Sequence, residues 1–390
     1  MSERADAVVI GAGILGASVA HFLAKLDFGE VVLLDKGAVC SGSTRYSAAN
    51  VRQHYTNEVA IRLAVRAVAM FENDEAELGG PSGFVRCGYM VMAPAGEEKA
   101  IREVVPFQQS LGVQSEILAA GEVAARYPEI DVDGIELACL ETTSGYADPV
   151  ATTRSLVDSA RGRGLCVHEG RAVTGIERKD GRITGVRTSD GTIAATVVVN
   201  AAGPWGDRVG RMAGVEHPLT FSREHEAQFE LPPDFGELPV TSDAAQRLYF
   251  RPHGAGRLLV GEGWPKEVEA DDPETYDAGT DDEHVARMTE KLFRRVPALR
   301  DRVRYVTGYS GMYDITADWY PIVGPEPEVE GLYSAFGGSG HCFKIGPPIG
   351  EALADVIVGR EPAIDISSLR GSRFADARTF SSVWGPGNRA

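Results

Sequence analysis

Apolar residues first gather in a short run at positions 7–10, Ala-Val-Val-Ile, and again at 31–34, Val-Val-Leu-Leu. Runs of this length, bounded by turn residues, read as buried strands of a parallel sheet, with a helical stretch between them. From about 57 to 77 the apolar positions Val59, Leu63, Val65, Ala69 and Phe71 fit a helix, and Gly79-Gly80-Pro81-Ser82-Gly83 breaks it. Residues 85–92 and 136–140 read as strands, separated by helical segments near 96–111 and 120–126. Residues 148–163 read as a helix, with Asp148-Pro149 as its start signal.

A strand meander runs from 166 to 200, with hairpin turns at Lys179-Asp180-Gly181-Arg182 and Ser189-Asp190-Gly191-Thr192. Its last run, at 196–200, is continuous and apolar, as a buried parallel strand should be. A small-residue turn, Ala201-Ala202-Gly203-Pro204-Trp205, and a helix over 205–213 follow. Runs at 227–231, 247–251, 258–263 and 303–309 read as strands of an antiparallel sheet, interrupted by a helix near 282–295. Positions 321–324 and 331–337 return to the apolar style of the first strands, and a helix over 347–359 follows. The tail after Gly371 has little periodicity and reads as weakly ordered. No repeat of solenoid period is visible.

The chain thus leaves its first domain and comes back to it. Segments 1–85, 145–217 and 321–370 are assigned to a discontinuous nucleotide-binding domain of Rossmann-like α/β type. Segments 86–144 and 218–320 form an α+β, antiparallel-sheet substrate domain, and 371–390 is a tail. A chain of 390 residues exceeds what one hydrophobic core serves, which agrees with two domains.

Composition narrows the partners. With 39 basic and 56 acidic residues, the formal net charge is −17, which disfavours nucleic acid and anionic membrane surfaces. The five cysteines (Cys40, Cys87, Cys139, Cys166, Cys342) are scattered, without C-x-x-C spacing. They argue against a disulfide framework or a zinc site, so no metal is expected, and they fit a reducing compartment. The apolar run 8–20 lacks the basic flank of a signal peptide and is too short to span a bilayer, so a cytoplasmic protein is expected.

Gly11-Ala-Gly13-Ile14-Leu15-Gly16 joins the first strand to the helix, and Asp35 ends the second strand. Gly11 permits a tight turn, Gly13 lets backbone approach a pyrophosphate, and Gly16 allows close packing of helix on strand. The pyrophosphate would sit at the helix N-terminus, and Asp35 can accept from ribose hydroxyls. A Gly-rich turn serving packing alone leaves Asp35 unexplained.

Three motifs in fixed order carry a family resemblance: Gly11-x-Gly13-x-x-Gly16, Asn200-Ala-Ala-Gly203-Pro-Trp205, and Gly337-Gly-Ser-Gly340-His341-Cys-Phe-Lys344-Ile-Gly346. In them the chain resembles the D-amino-acid-oxidase-like FAD flavoproteins, above all the sarcosine oxidase and glycine oxidase branch, over residues 5–370. The resemblance implies a glutathione-reductase-type FAD-binding domain. It implies cofactor contacts from Gly11, Gly13, Ile14, Leu15, Gly16, Asp35, Lys36, Ser43, Thr44, Arg45, Val173, Ala202, Gly203, Trp205, Gly311, Gly338, Ser339, Gly340, His341 and Lys344. It places Arg52 and Lys344 on a substrate carboxylate, where a chelating guanidinium and a point charge are chemically apt. Tyr249 and Tyr313 match active-site tyrosines of that branch. His54 and His341 lie beside these motifs and are candidates for the site or for structural roles.

Two departures change what the resemblance implies. Where monomeric sarcosine oxidases tether FAD through a cysteine, this chain has Gly311, so non-covalent FAD is expected. Where those oxidases hold a lysine that helps activate oxygen, this chain has Leu259, with Lys266 close by as a substitute. The implied reaction is oxidation of the C–N bond of an amino acid or N-substituted amino acid to an imine. A hydride equivalent goes to flavin N5, and O2 or another acceptor takes the electrons. The competing readings are a flavin dehydrogenase of 2-hydroxy acids, a catalytic subunit of a hetero-oligomeric sarcosine-oxidase-like complex, and a non-catalytic flavin-binding protein. A homo-oligomer is compatible with all of them.

Overall fold

The computed structural model describes residues 3–254, 256–264 and 267–381. Two large sheets dominate it. The first has six strands, in the order Cys166–His168, Val31–Leu34, Ala7–Ile10, Val197–Asn200, Leu332–Phe336 and Ile322–Pro325, all parallel except the last. Its central strands are buried on both faces, which is why they read as unbroken apolar runs rather than alternations. On one face lies the helix Ile14–Lys25, buried from Ile14 to Ala24 because helices Cys342–Ile357 and Pro149–Arg161 cover it in turn. Gly350 and Gly346 make that approach possible: a Cβ would stand 2.5 Å from Ser18 and 2.8 Å from Ile14 respectively. On the other face sits the meander of strands Val173–Lys179, Arg182–Thr188 and Gly191–Ala194, joined by the two D-G hairpin turns.

The second sheet has eight strands, in the order Arg304–Ile315, Thr220–Glu230, Arg257–Glu262, Leu248–Pro252, Val240–Asp243, Tyr89–Pro94, Ile135–Glu141 and Ser115–Ala119. One pair departs from the expected antiparallel pattern: Val240–Asp243 runs parallel to Tyr89–Pro94 and stitches two excursions of the chain into one sheet. The helix Asp282–Arg295 packs its buried His284, Met288 and Leu292 on the outer face.

Four local expectations need correction. The strand over 85–92 is two pieces, Val85–Arg86 and Tyr89–Pro94, split where Gly88 turns with φ +83°. Strands Ser115–Ala119 and Val240–Asp243 escape the pattern reading because they are short and partly polar. The last long helix starts at Cys342 rather than 347, so Pro347 and Pro348 lie inside it. Prolines normally mark the first turn, but here the positive-φ residues Ser339 and Gly340 turn the chain five residues earlier. Finally, the tail up to Ser381 is docked: Arg373, 1% exposed, forms a two-pronged ion pair with Asp318 at 2.8 and 2.9 Å, and Phe380 packs on Tyr320. Among the described residues no helix is long and apolar enough to cross a membrane.

Candidate active site

A single cavity of about 1340 Å³ runs from the C-terminal ends of the parallel strands to the inner face of the eight-stranded sheet. At its nucleotide end the three glycines do different work. A Cβ on Gly16 would lie 1.8 Å from the Gly11 carbonyl oxygen, and one on Gly11, itself at φ +103°, 2.4 Å from the Ala201 carbonyl oxygen. These two set how closely helix, strand and neighbouring turn can pack. Gly13 ends the turn with no side chain over the N-terminus of Ile14–Lys25, where Ile14 N–H donates to Thr44 Oγ1 at 3.1 Å. The Asp35 carboxylate accepts from Ala12 N–H and Gly37 N–H, each at 2.7 Å, which fixes it at the cavity wall.

Glu274 closes this end from a loop of the other sheet. It accepts from Trp205 Nε1 at 2.6 Å, Arg208 at 2.8 Å and Lys36 Nζ at 3.3 Å, and Lys36 lies 3.7 Å over the Trp205 ring. A helix N-terminus beside the Thr44 hydroxyl, a glycine-rich turn and an oriented carboxylate at the end of the second strand are the donor and acceptor set an adenine dinucleotide needs. The residues present therefore fit FAD.

At the far end two cations meet. Arg52 follows the short strand Asn50–Val51, and its guanidinium lies 4.5 Å from the Tyr55 ring centroid. It donates to the His54 carbonyl oxygen. Lys344, only 4% exposed, stands in the first turn of Cys342–Ile357 with Nζ 5.6 Å from the same ring and 3.0 Å from the His341 carbonyl oxygen. A buried ammonium in the first turn of a helix opposes the helix dipole. Together with Arg52 it makes this pole of the cavity strongly anion-seeking.

Behind the two cations Glu141 is completely buried. It accepts from Gln53 N–H at 2.8 Å and from the Ser144 hydroxyl at 2.6 Å, and burial pushes its carboxyl up to about 7 against the pull of Arg52 and Lys344. Tyr249 donates to Glu226 Oε1 on the opposite wall, and Tyr313 packs against Gly340 so closely that a Cβ there would strike its ring. Asp314, whose Oδ2 accepts from Gly337 N–H at 2.8 Å, is raised to about 6 by burial and pins the Gly-rich loop before Cys342.

Of the residues singled out from sequence, the cavity brings together Gly11, Gly13, Ile14, Leu15, Asp35, Lys36, Ser43, Thr44, Val173, Ala202, Gly203, Trp205 and Gly311. It adds Gly338, Gly340, His341, Arg52, Lys344, Tyr249 and Tyr313 to the same lining. Four lie outside it. Gly16 sits a turn into the helix and serves packing; Arg45 points outward beside Tyr46; the Ser339 hydroxyl is spent on Thr316 N–H and the Gly337 carbonyl. His54 is buried behind the wall against Gln108 and Glu141, and burial together with Arg52 lowers it to about 3, so it is neutral.

The His341 ring is held by the Trp319 carbonyl at 2.8 Å and the Tyr55 hydroxyl at 3.2 Å, so it braces the loop over the clamp. Leu259 is fully buried and does not line the cavity; Lys266 lies outside the described residues. Sequence reasoning did not single out Tyr55, Glu141, Glu226 or Glu274. The one available signal was a glutamate at an inward position of an otherwise apolar strand.

Comparison with known proteins gives this site its family. Residues 6–356 match the DAO family, described as FAD dependent oxidoreductase, and the chain belongs to it. It is a flavoenzyme-family oxidoreductase whose cofactor is FAD, as the three motifs implied. It is 29% identical over 395 residues to mitochondrial sarcosine dehydrogenase of Mus musculus, covering 98% of this chain and 43% of that protein. It is 28% identical to 4-methylaminobutanoate oxidase (formaldehyde-forming) of Paenarthrobacter nicotinovorans, covering 94% of this chain and 45% of that one. The chain thus spans less than half the length of these curated relatives. Among solved structures, L-proline dehydrogenase from P. horikoshii superposes with a TM-score of 0.90 at 26% identity, covering 97% of this chain and 100% of that one. Glycine oxidase from Geobacillus kaustophilus, at 23% identity and a TM-score of 0.82 over 95% of this chain and 99% of that one, shares the fold.

Proposed function

We propose that this protein oxidises the C–N bond of an amino acid, with secondary-amine (N-substituted) amino acids favoured, to the corresponding imine. The observation that carries the reading is the buried Lys344 ammonium, set against its helix dipole and flanking Tyr55 with Arg52. A guanidinium and an ammonium converging on one point suit a carboxylate, which the first can chelate and the second can neutralise. Bound FAD supplies the acceptor for a hydride equivalent from the carbon that bears nitrogen.

The chain's own residues do the rest. Arg52 and Lys344 hold the carboxylate and so fix the neighbouring carbon. Tyr249 and Tyr313 wall the cavity and limit water, and two adjacent cations favour an amine that has shed its proton. Orientation supplies most of the rate in such a scheme. Relatives named for sarcosine, 4-methylaminobutanoate and proline, all secondary amines, support the N-substituted class. In this reading segments 1–85, 145–217 and 321–370 carry the cofactor, and 86–144 with 218–320 carry the substrate wall. FAD is held without a covalent bond, since Gly311 packs on Tyr46 and the buried Cys342 thiol is pushed far up.

The test is anaerobic titration of the purified flavoprotein with secondary and primary amino acids beside 2-hydroxy acids. Bleaching of the flavin by the amino acids is the expected result. Bleaching by 2-hydroxy acids alone, or by none of them, overturns the proposal.

A further inference from the structure

Opposite the cationic pole, the inner face of the eight-stranded sheet carries an acid that the chemistry above does not use. Glu226 is 4% exposed and lines the cavity, yet its Oε2 has no hydrogen-bond partner among the described residues. Its Oε1 takes the Tyr249 hydroxyl. The space for this pair is built in: a Cβ on Gly261 would stand 2.5 Å from the Tyr249 hydroxyl and 2.6 Å from Glu226 Oε2. A buried carboxyl oxygen without a partner costs stability and calls for a ligand or another explanation.

Register places Glu226 far from the clamp. In one row across the sheet, Glu226 faces Gly261, Gly261 faces Tyr249, Tyr249 faces Ser242, and Ser242 faces Val91. Four strand spacings make a backbone separation of about 19 Å between Glu226 and the strand that carries Tyr89, the ring beside Arg52. The charge that acts on Glu226 is accordingly Arg251, not Arg52 or Lys344. Arg251 is itself engaged with the carbonyls of Ala48 and Pro252. Glu224, two residues along the same strand, and Glu262 also line the cavity, the latter paired with Lys291 at 3.1 Å and Arg287 at 3.5 Å.

Building on the amine-oxidation reading, we propose that Glu226, steadied by Tyr249, is a specificity determinant for elongated amino acids. It takes a positively charged nitrogen at the end of the chain remote from the carboxylate that Arg52 and Lys344 hold. A molecule the size of sarcosine, pinned at the clamp, does not reach it. Burial holds the carboxyl up, to about 8, with Arg251 opposing, and Tyr309 faces it as well as Tyr249. A cation arriving within a few ångströms favours the ionised form.

The experiment uses the holoenzyme and its Glu226→Gln variant, with FAD content measured for both. Flavin bleaching is followed anaerobically with lysine and arginine against norleucine, each as the free and the N-methyl amino acid. Wild type should favour the cationic members through KM. Glu226→Gln should lose about 10–150-fold in kcat/KM for those members only, as expected for one hydrogen bond to a charged group. Equal treatment of lysine and norleucine by wild type overturns the proposal, even if the variant fails to fold. So does a variant that slows both alike, the result expected of a mere counter-charge to Arg251. Bleaching by small or apolar amino acids alone sinks the Glu226 assignment and leaves amine oxidation standing. Bleaching by 2-hydroxy acids alone sinks both.

Discussion

Replacing Lys344 by Met separates a ligand-binding cation from a structural one, because only the structural role entails a large loss of stability. Met keeps the length of the side chain and removes the charge. If Lys344 holds the substrate carboxylate, the loss of one charge-assisted contact costs about 1.5–3 kcal/mol, or about 10–150-fold in kcat/KM. The folded protein meanwhile sheds a buried cation from the first turn of a helix, where the dipole alone penalises it by about 0.3–1 kcal/mol. It also loses the bond from Nζ to the His341 carbonyl, so the two effects nearly cancel. For 390 residues the unfolding entropy is about 0.8 kcal/mol per degree, so the melting temperature should move by only about 1 °C. Stopped-flow bleaching across substrate concentrations gives the first quantity, and thermal unfolding of the FAD-loaded protein gives the second. An unchanged substrate dependence, or a fall of several degrees in melting temperature, refutes the reasoning.

Other expectations follow from the same geometry. Gly16→Ala should cost more FAD and more stability than Gly13→Ala, because a Cβ meets backbone at 1.8 Å in the first case and the movable Thr44 hydroxyl at 3.0 Å in the second; FAD content per purified chain decides it. Arg373→Met leaves the buried Asp318 carboxylate unpaired and should lower the melting temperature by about 4–6 °C, from a penalty of about 3–5 kcal/mol, with Asp318→Asn restoring part of it. Glu141 keeps its proton up to about pH 7 in the fold, whereas the unfolded chain releases it near 4.5. The folded state therefore binds the extra proton, and stability should fall as pH climbs through that window. Glu141→Gln should flatten this slope in melting curves between pH 4.5 and 7.5; an identical slope in both proteins would count against it. Because Leu259 is packed away from the cavity, the reduced flavin should reoxidise faster with a dye acceptor than with dioxygen, and the reverse order in a stopped-flow comparison would argue for an oxidase.

The central strands Ala7–Ile10 and Val31–Leu34 were legible because they are buried on both faces and leave no polar position to blur the run. The turn at Gly11 to Gly16 was legible because its glycines answer steric needs that recur wherever a dinucleotide is bound. Arg52 and Lys344 became visible only through the family resemblance, since nothing in their local sequence separates a clamp from two surface cations. Glu226 was not legible at all, and Glu141 only as a buried acid closing a mostly apolar strand. Their roles depend on which strands lie side by side, and the parallel pairing of Val240–Asp243 with Tyr89–Pro94 has no local signature in Val-Thr-Ser-Asp. His54 shows the converse: proximity in sequence to Arg52 placed it near the site, but the strand ends at Val51 and the His54 ring is buried against Gln108 and Glu141.

The order in which the cavity's walls occur along the chain has a consequence for synthesis. Its lining begins at Ile10 and ends at Lys344, and the sheet wall is joined only when residues 240–243 pair with 89–92. A chain emerging from the ribosome therefore cannot grip flavin fully until Lys344 has been made. Long-range pairings of this kind also form slowly. The cofactor cannot template the early steps; it can only lock the finished fold by mass action. Riboflavin supplied during expression should accordingly raise the amount of protein that survives, while leaving the pace at which it first folds unchanged.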